Sequence, residues 1–217
     1  MMLAFRTAGD FQTAASAAQA SGFDGVELAA SDAMLTDPQK IREIFAASNI
    51  EISSLACQLK PKSDELVQTI NLAAAIGCKR LRVTTACLTG RTSYESCKEM
   101  LLPAADIAAT AGIMILLENQ PEPGSVNRLW HAVDSFNHPS IACCWNMPSG
   151  RVARELPLVT IPTLNSRIRM VVVCDDDPDL RKSIHRLRGI GFDGVVLVDV
   201  AKYALQITAT TLRGVFV

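Results

Sequence analysis

The pentapeptide GFDGV stands at residues 22–26 and returns at 191–195, with the same kind of neighbours both times. DFQTAASAAQAS, a stretch of strong helix formers with a polar face, precedes the first copy, and the apolar VELAA follows from its last valine. PDLRKSIHRLRGI precedes the second, and VVLVDV follows. Each copy therefore marks a helix, a glycine stop in the left-handed conformation, a turn and a strand. INLAAAIG before CKRLRVTT and ADIAATAG before IMILLENQ repeat the grammar. Read with this one rule, the chain gives strands near 3–7, 25–29, 50–57, 80–85, 113–118, 141–146, 168–174 and 194–199. Helical patterns separate every pair, and a ninth helical stretch, from about Lys202, closes the chain. Runs such as IMILL, MVVVC and VVLV are continuously apolar, as parallel strands covered on both faces must be.

Eight βα units point to a single closed (β/α)8 barrel over residues 1–217, compact against the roughly 250 residues typical of that fold. A doubly wound open sheet is the rival, but no G-x-G-x-x-G follows the first strand. The segment RVARELPLVTIPTLNSR fits least well, because Pro157 and Pro162 forbid one long helix.

The net charge of −1 leaves no basic field for sequence-independent nucleic-acid binding. No apolar stretch reaches the length of a membrane span and no signal peptide opens the chain, so a soluble, cytoplasmic protein without a membrane partner is expected. Seven cysteines without a C-x-x-C read as buried thiols in a reducing compartment.

In a barrel of this kind chemistry belongs at the C-terminal strand ends. Those ends carry Gly9 and Asp10, Ser31 and Asp32, 58–62, 84–91, 118–122, 146–151, 175–177, and Asp199 with Lys202. The list is polar and rich in carboxylates. His131, His138 and His185 all fall in outer helices or on the opposite side, which removes support for Ser-His-Asp or Cys-His chemistry.

SGFDGVEL, GIMILLEN at 112–119, SIACCWNMPSG and the final IGFDGVVLVD resemble the xylose isomerase-like TIM barrels, a family of sugar phosphate isomerases and epimerases, over essentially the whole chain. The resemblance implies proton transfer next to the carbonyl of a sugar or sugar phosphate, with Glu118 and Asp199 as the acid/base pair. It also implies a divalent metal, Mn, Mg or Zn, held at the ends of the fifth to eighth strands. Glu118 matches the first ligand. The sixth-strand W-D-x-x-H reads Trp145, Asn146, Met147, Pro148, Ser149; the seventh-strand histidine position is Val172; and Asp199 replaces the closing glutamate. The metal set reduces to Glu118, Asp199 and Asn146, with charge and an imidazole removed together. The alternative reading is a degenerate, non-catalytic barrel that binds a sugar-like ligand or a protein partner. Abasic-site endonuclease activity, also found in this superfamily, needs a histidine-rich metal cluster that the chain lacks.

Substrate-binding candidates are Glu27, for sugar hydroxyls or equally for a structural salt bridge, since strand alternation sends either it or Val26 into the barrel; Arg82, in the apolar strand RLRVTT and in want of a carboxylate or phosphate partner; Trp145, for stacking on a sugar face; Asn146; and Arg151. Lys60, Lys62, Arg91 and Lys202 are further cations near the mouth. Asp175, Asp176 and Asp177 before Pro178 read as an N-cap and first helical turn. The short loops leave scarcely a lid, so water exclusion would fall to a neighbouring subunit and a homo-oligomer is an expectation.

Overall fold

The computed structural model describes residues 1–7, 10–30, 36–59, 64–85, 94–174, 176–199, 209–210 and 212–214. Its elements run β1 (Met2–Arg6), α1 (Phe11–Ala20), β2 (Gly25–Ala29), α2 (Pro38–Ala47), β3 (Glu51–Leu59), α3 (Asp64–Ile76), β4 (Arg80–Thr85), α4 (Tyr94–Thr110), β5 (Met114–Glu118), α5 (Ser125–Phe136), β6 (Ile141–Asn146), α6 (Met147–Val152), α7 (Pro157–Leu164), β7 (Ile168–Val173), α8 (Leu180–Gly189) and β8 (Val195–Val198). The strands pair in sequence order, all parallel, and β8 closes on β1. This is the expected (β/α)8 barrel. No described helix is long and apolar enough to cross a membrane.

The two glycines of GFDG do different work. Gly22 and Gly191 have φ of 72° and 73°, and the turns they make return Phe23 N–H to the Ala18 carbonyl at 3.0 Å and Phe192 N–H to the Leu187 carbonyl at 2.9 Å. These are Schellman caps, and they stop α1 and α8 where the following strand must begin. At Gly25 and Gly194 the constraint is space: an added Cβ would stand 2.7 Å from the Glu51 carbonyl oxygen and 2.2 Å from that of Arg169. Both strands thus enter the sheet pressed against a neighbouring backbone.

Strand alternation divides the core in two. Leu3, Phe5, Val26, Leu81, Val83, Ile115, Leu117, Cys143, Val171, Val173, Val196 and Val198 pack outward under the helices, and Ala4, Leu116, Ala142, Cys144, Met170, Val172, Val195 and Leu197 fill the barrel interior. Pro157 opens α7 at its first turn, where a missing N–H costs nothing, and the segment divides into α6 and α7 as its prolines require. Pro162 nevertheless lies inside α7, and Pro103 inside α4. Of the expected closing helix, Lys202 and its neighbours to 208 lie outside the described residues; Ala209 and Leu212 are buried in helical turns.

None of the six described cysteines is in a disulfide. Burial pushes the thiols of Cys57, Cys78 and Cys143 up to about 12, and that of Cys144 well above its ordinary 9.0. These four are therefore protonated at neutral pH and unreactive as nucleophiles.

Gly194→Ala should lower stability by about 1–3 kcal/mol, because the Arg169 backbone must move, and a urea melt measures this directly. The thiols also set an alkaline limit. An unfolded chain ionises them near 9 while the native state keeps them protonated, so stability is full below pH 9 and falls as pH rises toward 12. Urea midpoints at pH 8 and pH 10.5 should differ in that direction, and replacing Cys143 by Ala should reduce the difference.

Candidate active site

The inward-facing register that buries Leu116 and Ala142 carries a ring of polar side chains one layer higher, toward the C-terminal strand ends. Val26 packs outward, so Glu27 points into the barrel, where it is fully buried. An irregularity in the β2–β3 register follows: Val26 pairs with Ile52 but Glu27 with Ser54. The extra residue brings Ser54 Oγ to donate to Glu27 Oε2 at 2.8 Å.

Arg82 projects inward from β4 and is the centre of the ring. Its Nε and Nη2 donate to Glu27 Oε2 and Oε1 at 2.7 and 2.8 Å, a bidentate pair, and its Nη1 donates to Glu118 Oε2 from β5. Burial works against the guanidinium's charge, but the hydrogen bonds and charge of Glu27, with Glu118 behind them, outweigh it and hold Arg82 above its already high ordinary value. It stays cationic at every accessible pH.

Glu118, with a side chain 5% exposed, accepts two further bonds. Thr84 Oγ1 donates to Oε2 at 3.0 Å, and Asn146 Nδ2 donates to Oε1 at 2.5 Å. Asn146 is itself fixed: its Oδ1 accepts from Ser149 N at 2.9 Å as the N-cap of α6, and its backbone is bracketed by Asn119, which accepts from Asn146 N at 2.6 Å and donates to Asn146 O at 3.0 Å. The cap consumes the amide oxygen, so the amide turns its hydrogens to the carboxylate.

On the other side Arg6 ends β1. Its Nε donates to Glu27 Oε1 at 3.0 Å and its Nη1 to Asp199 Oδ2 at 3.2 Å, just past β8. Asp199 is 46% exposed and Arg6 35%, so this side of the ring opens to solvent.

Glu27, Arg82, Glu118, Asn146 and Asp199 thus belong to one bonded chain, with Arg6 linking the last to the rest. Trp145 does not join it: the ring lies in the outer core, 1% exposed, because an odd step from Asn146 points away from the interior. It cannot stack on a ligand in the mouth, which corrects the expectation for it. Arg151 lies exposed on α6 and donates to Asp177 at 2.6 Å. That contact also revises the acidic run: Asp177 holds Arg151, and α8 starts later, with Asp179 at its N-cap position and no side-chain cap bond. Asp175, Gly9, Ser31, Asp32, Lys60, Lys62, Arg91 and Lys202 lie outside the described residues. Sequence reasoning missed Arg6, Ser54 and the bracketing role of Asn119; Arg6, a lone cation ending an apolar strand, was the one visible signal.

The donor set does not fit a divalent metal. Glu118 is bonded to a guanidinium, Asn146 offers hydrogens, and Val172, on the interior wall beside Asn146 and Leu197, offers only methyl groups. Among the described residues no group of three His, Cys, Asp or Glu could hold an ion.

Comparison with known proteins places this barrel. No protein of curated function matches the chain by sequence. Solved structures match along nearly all of it. 3-keto-D-glucoside 4-epimerase YcjR from E. coli is 11% identical, with a TM-score of 0.78 and 99% of this chain and 98% of that one covered. D-allulose 3-epimerase from Methylomonas sp., in complex with D-allulose, is 15% identical, with a TM-score of 0.79 and 100% and 90% covered. The IOLI protein, with a bound zinc atom, is 18% identical, with a TM-score of 0.76 and 100% and 95% covered. At these identities the likeness shows the fold. A family model described as xylose isomerase-like TIM barrel matches residues 15–217, and the chain belongs to that family.

Proposed function

We propose that the protein is a sugar isomerase or epimerase that moves a proton next to a carbonyl, with Asp199 and Glu118 as its acid/base pair. The observation that carries this reading is the bonded chain from Asp199 through Arg6, Glu27 and Arg82 to Glu118, which holds two carboxylates on the inner wall of the mouth. Solved epimerases of the same fold, one of them with D-allulose bound, support the substrate class.

The two carboxylates are not equivalent. Asp199 is half-exposed and can meet a substrate hydrogen as it stands. Glu118 accepts from three side chains, two on Oε2 and one on Oε1, so Oε1, held by Asn146 alone, is the oxygen that can exchange a proton. The reading therefore gives Asp199 the first proton transfer and Glu118 the return on the opposite side of the sugar. Arg6, in contact with Asp199 and partly exposed, is among the described residues a cation placed to meet a developing oxyanion there, and Asn146 can donate to a sugar hydroxyl when it releases Glu118.

The test is deuterium exchange. Ketoses, aldoses and their phosphates incubated with the protein in D2O should include one whose proton next to the carbonyl exchanges, read by NMR. Asp199→Asn should slow that exchange by about 100-fold or more. No exchange with any sugar, together with saturable sugar binding, would favour the non-catalytic barrel.

Glu118→Gln should behave differently, losing turnover and also stability. It removes one partner of a buried pair, a change of about 3–5 kcal/mol when the remaining charge is stranded. Because Arg82 keeps its bidentate pair with Glu27, the loss should sit at the lower end. Urea melts of Glu118→Gln and Asp199→Asn should separate the two, with the Asp199 variant nearly unchanged.

A further inference from the structure

We propose that Arg82 is the resident cation of the barrel mouth: its guanidinium gives Glu118 the positive charge that a divalent ion would otherwise supply, and the mouth accepts such an ion only when Arg82 is removed. Three oxygens receive the guanidinium. Glu27 Oε1 and Oε2 receive Arg82 Nη2 and Nε from one side, and Glu118 Oε2 receives Nη1 from another. Ser54 Oγ and Thr84 Oγ1 touch the same carboxylates. A cation fixed among two buried carboxylates satisfies them by charge and by hydrogen bonds at once. A second cation on Glu118 would share its carboxylate with the guanidinium, a like-charge repulsion across one side chain in a poorly solvated site.

The arrangement is permanent in a way that a metal is not. Arg82 cannot lose its proton, and Glu27 fixes its plane through two parallel bonds. The rest of the mouth agrees. Asn146 presents N–H groups toward Glu118, its oxygen is committed to the α6 cap, and Val172 fills the seventh-strand place with methyl groups. The inference concerns cation occupancy and holds whether or not Asp199 moves a proton, so failure of the proposed activity would leave it standing.

Shortening residue 82 would leave two carboxylates around a space lined by oxygen. Hard oxygen donors without imidazole or thiolate suit Mn2+, Mg2+ or Ca2+ better than Zn2+. The test titrates Mn2+ into EDTA-treated protein, with bound ion read from loss of the free Mn2+ electron paramagnetic signal and the effect on folding from thermal unfolding. Wild-type protein should bind no equivalent that depends on Glu118, and EDTA should leave its melting temperature unchanged. Arg82→Ala should bind one equivalent and gain thermal stability from it, and adding Glu118→Gln to that variant should abolish both. Arg82→Lys, which keeps a cation, should bind none.

One Mn2+ equivalent on the wild type that disappears in Glu118→Gln would overturn the proposal. So would a folded Arg82→Ala protein that ignores the ion. Should Arg82→Ala fold only when Mn2+ is supplied, the proposal is supported; should it fold under neither condition, the wild-type and Arg82→Lys titrations decide alone.

Discussion

The bidentate pair between Arg82 and Glu27, with Glu118 on the third guanidinium nitrogen, is the contact on which the upper layer of this barrel depends. It ties β2, β4 and β5 across the interior, and its neighbours extend the tie. Arg6 carries it to β1 and to Asp199 after β8, Ser54 to β3, and Asn146 to β6. Polar bonds therefore engage seven of the eight strands near their C-terminal ends. At β7 the register presents Val172, and the apolar interior reaches up to that point. Two buried carboxylates would be untenable without the guanidinium, and the guanidinium would be equally untenable without them.

Such a ring is costly to desolvate and is satisfied only because each donor has a designated acceptor. Its exposure is uneven. Three donors close on Glu118, whose side chain is 5% exposed, whereas the Arg6–Asp199 end stands partly in solvent. A ligand entering the mouth would meet the exposed half first, with the buried half fixing the positions of the strand ends beneath it. This division is what gives the two carboxylates different work in the proposed chemistry.

Most of the fold was written locally. Gly22 and Gly191 announce helix ends by the conformation they alone adopt easily, and continuous apolar runs announce buried parallel strands, so strand positions came out within one or two residues. The inward choice between Val26 and Glu27 was visible only as an alternative, because it depends on closure of the sheet. Trp145 shows the limit from the other side: an aromatic ring next to Asn146 looked available to a sugar, and only the strand's register sends it outward. Arg82 was readable as a buried cation needing a partner, but which acids it takes is set by contacts 55 and 36 residues away in sequence. Arg6 was missed for the same reason, since its bond to Asp199 spans 193 residues.

The central claim is that Arg82 is held rigidly as a cation between Glu27 and Glu118. Side-chain NMR of protein labelled with 15N-arginine measures that state directly, with Arg82→Lys used to assign the signal. The account predicts an Arg82 guanidinium with separate, slowly exchanging Nη protons, because three bonds stop its rotation and keep out water. A single averaged, fast-exchanging Nη signal for Arg82 would mean that the guanidinium turns freely, and the account of the site would be wrong.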